Sequence, residues 1–263
     1  RLAGDIVAPP DSPHDTGWAR ELAACAELAG EVGQLARAQG IRLTLHLPLH
    51  ATLGSPDPAV AERAALVVAA AAGLLEALGC GRDGVLVLHA GGAFGDRAAA
   101  LHRFAAGYER LPAAARERVV LEPDEDCFGL ADLLRLHQQL GVPLVFDALH
   151  HQINNPEDAL SEALRAALAT WPRGVRPKAH FSTQRTEAHV LPARRGAEAR
   201  VLAPQLGQHA DFVNPFEFVA LLRAARGLPG FDLMLEAKAA DLALLRLRED
   251  LRRVAPELAA GVR

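Results

Sequence analysis

Five short apolar runs in this chain each end on a residue that can bind a metal ion. Residues 41–45 lead into His46, 84–88 into His89, 119–121 into Glu122, 143–146 into Asp147 and 231–235 into Glu236. Runs of this length, rich in valine and leucine, read as strands buried on both faces, as in a parallel sheet. A further segment, 176–183, carries Lys178 and His180 two positions apart, hence on one face of a strand. Helical patterns at 57–78, 97–110, 129–140, 156–169, 215–226 and 239–254 separate the strands. Strand alternating with helix implies parallel pairing, and 263 residues suit one (β/α) barrel, a fold that runs near ~250 residues. With residues 1–7 as a strand the count is seven. The expected fold is therefore an α/β TIM barrel, a single domain over 1–263, with a first βα unit lacking.

In such a barrel the carboxyl ends of the strands converge on one mouth, where active sites sit. Imidazoles and carboxylates gathered there suit a polynuclear site for Mn²⁺, Zn²⁺ or Fe²⁺ better than for Mg²⁺ alone. Glu122 is placed to bridge two cations about 3.5–4 Å apart, the separation that activates a water and stabilises a leaving oxygen. A lone strand-end histidine is more often a satisfied polar residue than a ligand. Several in register make the metal reading the stronger one.

Composition narrows the class. No stretch of ~18 uninterrupted apolar residues is present, so no membrane span is expected. Nor does the start resemble a signal peptide. The three cysteines are scattered and odd in number, which predicts neither a disulfide framework nor a zinc ribbon and points to the cytoplasm. A net charge of −4 argues against a general nucleic-acid binder, although bound cations would add positive charge at the mouth. No obligate protein partner is evident. Of 28 basic residues only Lys178 and Lys238 are lysine. A buried lysine can lose its proton and react, whereas arginine cannot. Chemistry is expected at Lys178.

Motif order then adds a family. The opening residues through Pro13-His14, Leu43-Thr44-Leu45-His46, Leu53-Gly54-Ser55-Pro56 and His89-Ala90-Gly91-Gly92 with Gly95-Asp96-Arg97 come first. Leu121-Glu122, Phe146-Asp147-Ala148-Leu149-His150-His151, Pro177-Lys178-Ala179-His180, His209-Ala210-Asp211 and Leu235-Glu236-Ala237-Lys238 follow. In this order they resemble the UV damage endonuclease family, TIM-barrel enzymes of DNA repair. The resemblance implies metal ligands at His46, His89, Glu122, Asp147, His150, His180, His209 and Glu236. It also implies His14 and Lys178 lining the site, the lysine as a carbamate. The implied activity is cleavage of damaged double-stranded DNA with two or three metal ions, usually Mn²⁺, immediately 5′ of ultraviolet photoproducts, leaving a 3′-hydroxyl.

Several positions stay open or depart from the family. Only one of His150 and His151 can face the mouth if both lie on a strand. His150 is favoured, and His151 is expected behind it or facing DNA. His189 rivals His209 across the long loop 186–208. After His46 the family carries Pro-Gly-Gln-aromatic as a wedge at the damaged dinucleotide; here Leu47-Pro48-Leu49-His50 stands instead. Leu49 and His50 are expected to take the wedge position, without an amide to read a base edge. Two other classes compete: a metal-dependent sugar isomerase or epimerase of related barrel, and a non-catalytic barrel that binds damaged DNA.

Overall fold

The computed structural model describes Leu2 and residues 17–154, 157, 159–193 and 198–262. His14, most of the expected first strand and Arg194-Arg195 lie outside the described residues. The order is α1 (Gly17–Ala24), α2 (Ala26–Ala38), β1 (Leu45–His46), α3 (Pro58–Ala77), β2 (Leu86–His89), α4 (Arg97–Glu109), α5 (Ala113–Arg116) and β3 (Val119–Glu122). Then come α6 (Leu130–Leu140), β4 (Phe146–Asp147), α7 (Ala148–Asn154), α8 (Leu160–Ala169), β5 (Lys178–Phe181), β6 (His189–Leu191) and β7 (Arg200–Leu202). The order closes with α9 (Pro215–Ala224), β8 (Asp232–Leu235), α10 (Ala240–Val254) and α11 (Pro256–Ala259).

Parallel pairing runs β1-β2-β3 and β4-β5-β8, and a parallel bridge from Leu121 to Leu144 links the two groups. Leu2 bridges Leu45 in parallel beyond β1, so strand pairing precedes α1 and α2. This is the α/β TIM-barrel architecture. Helix starts are fixed by local chemistry. Asp57, Asp96 and Asn214 accept from the backbone N–H of Ala59, Ala99 and Phe216 and so cap α3, α4 and α9, while Pro58 and Pro215 occupy first-turn positions. The apolar α3 is long and apolar enough to cross a membrane by composition, yet its Ala64, Val68 and Leu75 are buried in the core.

Strand parity sorts the side chains. The register pairs Leu88 with Leu121 and His89 with Glu122, so odd positions of β2 share a face with even positions of β3. Leu86, Leu88, Val119, Leu121, Leu144, Phe146 and Phe181 face outward into the large cluster packed by the helices. Val85, Val87, Val120 and Val145 face inward and pack with Trp171 as a separate small cluster. Three interior layers follow. His46, His89, Glu122, Asp147, His180 and Glu236 lie at the carboxyl end, Thr44, Val87, Val120, Val145 and Lys178 in the middle, and Arg42, Val85 and Asp232 at the amino end.

Two expectations need correction here. The segment 186–208 holds an antiparallel hairpin, β6 with β7, in which Val190 pairs with Val201, rather than a structureless loop. The strand expected at 231–236 is not buried on both faces: all of β8 is half-exposed, because among the described residues it pairs only with β5.

Candidate metal centre

Glu122 closes β3 and is the hub of the upper layer. Its carboxylate is fully buried, and its two oxygens look at different imidazoles. Oε2 lies 2.8 Å from His46 Nε2 and 3.7 Å from His89 Nε2. Oε1 lies 2.7 Å from His180 Nδ1 and 3.8 Å from His150 Nδ1. Two groups of possible ligand atoms, each lying within 4.8 Å of one another, share Glu122 and His180: one adds His46, the other Asp147 and Glu236.

Each ligand candidate arrives on a strand end or just beyond one. His46, His89, Asp147 and His180 are fixed by ladder pairing, and Glu236 by its N–H donating to the Phe181 carbonyl at 2.9 Å. His209 arrives differently. Residues 209–211 span the carboxyl ends of β5 and β8: Ala210 N–H donates to Thr183, and Lys238 N–H to the Ala210 carbonyl. That backbone places His209 Nδ1 4.0 Å from Glu236 Oε2 and its ring 6.5 Å from that of His150. His189, its sequence rival, heads the β6 hairpin.

His150 and His151 are not on a strand. β4 ends at Asp147, whose Oδ1 accepts the His150 N–H at 2.7 Å and starts α7. Both rings are buried, His150 at the centre and His151 against Phe146 with ring centroids 5.3 Å apart. A DNA-facing His151 is therefore corrected: only 5% exposed, it lies behind the site. Lys178 lies one layer below, buried, its Nζ donating to Thr44 Oγ1 at 3.0 Å. Leu49 and His50 form an exposed turn just past β1, with Leu49 75% exposed at the mouth.

Electrostatics explain why this cluster suits cations. Burial pushes the Glu122 carboxyl up, but His180, His46 and His89 pull harder and hold it well below the usual carboxylate range. Burial raises Asp147, and Glu122 adds to the push. Burial lowers His89 and His209, which favours the neutral imidazole a metal requires. For His150, burial lowers the value but the carboxylates of Asp147, Glu122 and Glu125 outweigh it, so it is raised. Among the described residues, His89 Nδ1, His180 Nε2 and Asp147 Oδ2 are buried polar atoms without a hydrogen-bond partner. Such atoms are costly unless something binds them. His46 Nδ1 lies 3.0 Å from the Leu47 carbonyl and His150 Nδ1 2.8 Å from that of Pro123. Donation there leaves His46 Nε2 to present a lone pair on the side of Glu122, the usual device behind a metal-bound histidine, and turns His150 Nε2 toward Glu125. The donor set fits divalent cations.

Sequence reasoning missed two contributors, Glu125 and Arg185. Glu125 reaches His150 Nε2 at 3.3 Å from a loop whose backbone is held by Asp124. Arg185 and Lys238 line a cavity of about 790 Å³ with Gln205, Gln208 and His209 beside the mouth. No apolar run ends on Glu125 or Arg185, so strand-end spacing carried no signal for them.

The UV-endonuclease UvdE family profile matches residues 1–259, and the chain belongs to that family. A UV DNA damage endonuclease of Bacillus pumilus (strain SAFR-032) is 33% identical over 223 residues, covering 84% of this chain and 65% of that relative. The chain thus spans just under two thirds of that relative's length. The crystal structure of SacUVDE superposes with a TM-score of 0.74 at 25% identity, covering 92% of this chain and 76% of that one. L-ribulose 3-epimerase, at a TM-score of 0.55 and 16% identity over 88% of this chain and 75% of that one, shares the fold alone.

Proposed function

We propose that this chain is a single-domain, metal-dependent endodeoxyribonuclease of the cytoplasm. It nicks double-stranded DNA immediately 5′ of ultraviolet photoproducts, cyclobutane dimers and 6-4 photoproducts alike, and leaves a 3′-hydroxyl. The observation that carries the reading is Glu122, whose oxygens divide His46 and His89 from His180 and His150. A carboxylate so placed would hold cations on both of its oxygens. Asp147, Glu236 and His209 would complete the ligand set. Mn²⁺ is the preferred occupant, with Zn²⁺ or Fe²⁺ compatible with the same donors. When bound, such ions supply an activated water and a counter-charge for the leaving oxygen.

The chain's own residues do the rest. Glu122 fixes the spacing of the ligand groups, and Asp147 and Glu236 add the charge that draws cations into a buried site. Lys178, as a carbamate, would extend a carboxylate from the middle layer toward the mouth, with Thr44 orienting it. His14 is assigned to the site by family resemblance. Arg185 and Lys238 are placed to hold backbone phosphates beside His209. Leu49 and His50 are placed to enter the gap left when a damaged dinucleotide unstacks, a step that costs least at a lesion.

Incubation of the Mn²⁺-loaded protein with an end-labelled duplex carrying one cyclobutane dimer tests this. A nick directly 5′ of the dimer is expected. Equal cleavage of the undamaged duplex would identify a general nuclease instead.

A further inference from the structure

Phe94 is strained and exposed in a place where the fold gains little from it. It follows His89 by five residues in the loop from β2 to α4, at the same mouth as the candidate metal centre. Its φ is 52°, in the left-handed region that a bulky side chain seldom adopts. The residue is 51% exposed, so burial offsets little of that strain. The surrounding chain holds it nonetheless. The Asp96 N–H donates to the Ala93 carbonyl at 3.0 Å, Asp96 caps α4 through Ala99, and the Arg103 guanidinium lies 5.9 Å from the ring centroid. Arg103 is itself tied to the Gly54 carbonyl at 3.0 Å.

This loop also packs against the one that carries Leu49. A Cβ at Gly91, where φ is 91°, would stand 2.5 Å from Thr52 Cγ2, so only glycine permits the contact. Thr52 Oγ1 in turn donates to the Leu49 carbonyl at 3.2 Å. Two exposed apolar side chains, one aliphatic and one aromatic, are therefore carried on adjoining loops above His46 and His89. Leu206 and Phe216 are exposed too, but neither is in a strained backbone conformation.

We infer that Phe94 is a base-stacking residue, a specificity determinant that receives a base exposed when the lesion leaves the duplex. The inference rests on the endonuclease reading above. A strained residue at a functional mouth is a pointer to function, and an exposed ring backed by a guanidinium is a ready stacking platform for a base of any sequence. It also supplies what the Leu47-Pro48-Leu49-His50 turn lacks, a fixed aromatic plane beside the aliphatic wedge.

Single-turnover cleavage of a dimer-bearing duplex by the Mn²⁺-loaded protein, measured against protein concentration, together with binding of an undamaged duplex followed by fluorescence anisotropy, tests the inference. Phe94→Ala is expected to raise the half-saturating concentration on the dimer duplex about 10-fold, with binding to the undamaged duplex unchanged. Phe94→Trp should restore it and Phe94→Leu should not. Phe94→Gly relieves the strained φ, so its thermal midpoint should equal or exceed that of the wild type while its dimer preference falls. Wild-type preference retained in Phe94→Ala overturns the inference and leaves the endonuclease reading standing. Restoration by leucine, or an equal loss on both duplexes, also overturns it. If the wild type itself shows no preference for the dimer, the endonuclease reading fails and Phe94 with it.

Discussion

The two ends of the barrel handle charge in opposite ways. At the amino end the protein neutralises itself. Arg42 donates to Asp232 at 2.8 Å and to the Arg176 and Asp83 carbonyls, lies 5.7 Å from the Trp171 ring, and shares Asp232 with Arg176 at 3.3 Å. At the carboxyl end three carboxylates converge, and among the described residues the ion-pair partners of Glu122 and Asp147 are imidazoles. The valine cluster between them keeps the two systems apart. A barrel that can close one end with an arginine could have closed the other. The carboxylates and orphaned imidazole nitrogens at the mouth are consistent with a site for divalent cations.

Glu122→Gln is expected to break this contrast most severely. The amide keeps the size of the carboxylate but not the charge shared between two imidazole pairs, so cleavage should fall at least ~100-fold. DNA binding should remain detectable. Activity near wild type in the dimer assay would remove Glu122 from the bridging role.

Chemical modification sharpens the same end. Protein equilibrated with ¹³C-bicarbonate should show a carbamate carbonyl resonance that Lys178→Arg lacks. If the wild type gives no such signal, Lys178 is a plain amine bound to Thr44, and the middle layer belongs to structure rather than to the site.

Stability separates the ends next. Mn²⁺ at ~100 times its dissociation constant should stabilise the fold by about 2.7 kcal/mol, and Glu122→Gln should abolish most of that gain. Asp232→Asn, in contrast, should cost about 1–2 kcal/mol, toward the low side because the Asp232 side chain is 36% exposed. Cleavage rate and metal response should stay within about twofold of wild type. Calorimetry with and without Mn²⁺ checks both variants, and loss of the metal response in Asp232→Asn would show that the ends are coupled.

The smallest expected effect is at the rim. Leu49→Gln should change stability by less than about 0.5 kcal/mol, since the side chain is exposed. It should still shift cleavage toward photoproducts relative to abasic sites and mismatches, because a base-edge amide is added where only deformability and stacking discriminated. Unchanged relative rates on the three matched duplexes would move the wedge elsewhere.

Much of the fold was legible because parallel strands carry their own signal: an apolar run that stops at the sheet's carboxyl edge. His46, His89, Glu122, Asp147, His180 and Glu236 meet in one layer for that reason. The helices α3, α4 and α9 were legible from their helical patterns, and the structure adds the Asp57, Asp96 and Asn214 caps that start them. What escaped was structure set by tertiary contact. The short α7 starts because Asp147 caps it, so a rule for strand neighbours misplaced His151. His209 owes its place to backbone bonds with Thr183 and Lys238, which no local pattern announces. The helices α1 and α2 were not legible in the sequence, and α2 leaves Leu28 and Leu35 exposed, which blurs its apolar face.

Metal stoichiometry tests the central claim most directly. Inductively coupled plasma mass spectrometry on purified protein after Mn²⁺ loading and desalting should find at least two ions per chain in the wild type. Asp232→Asn should hold the same number, and Glu122→Gln should lose at least one. A wild-type chain that retains no metal, or a Glu122→Gln variant that retains the full complement, would contradict the assignment of the carboxyl-end cluster as a bridged metal centre.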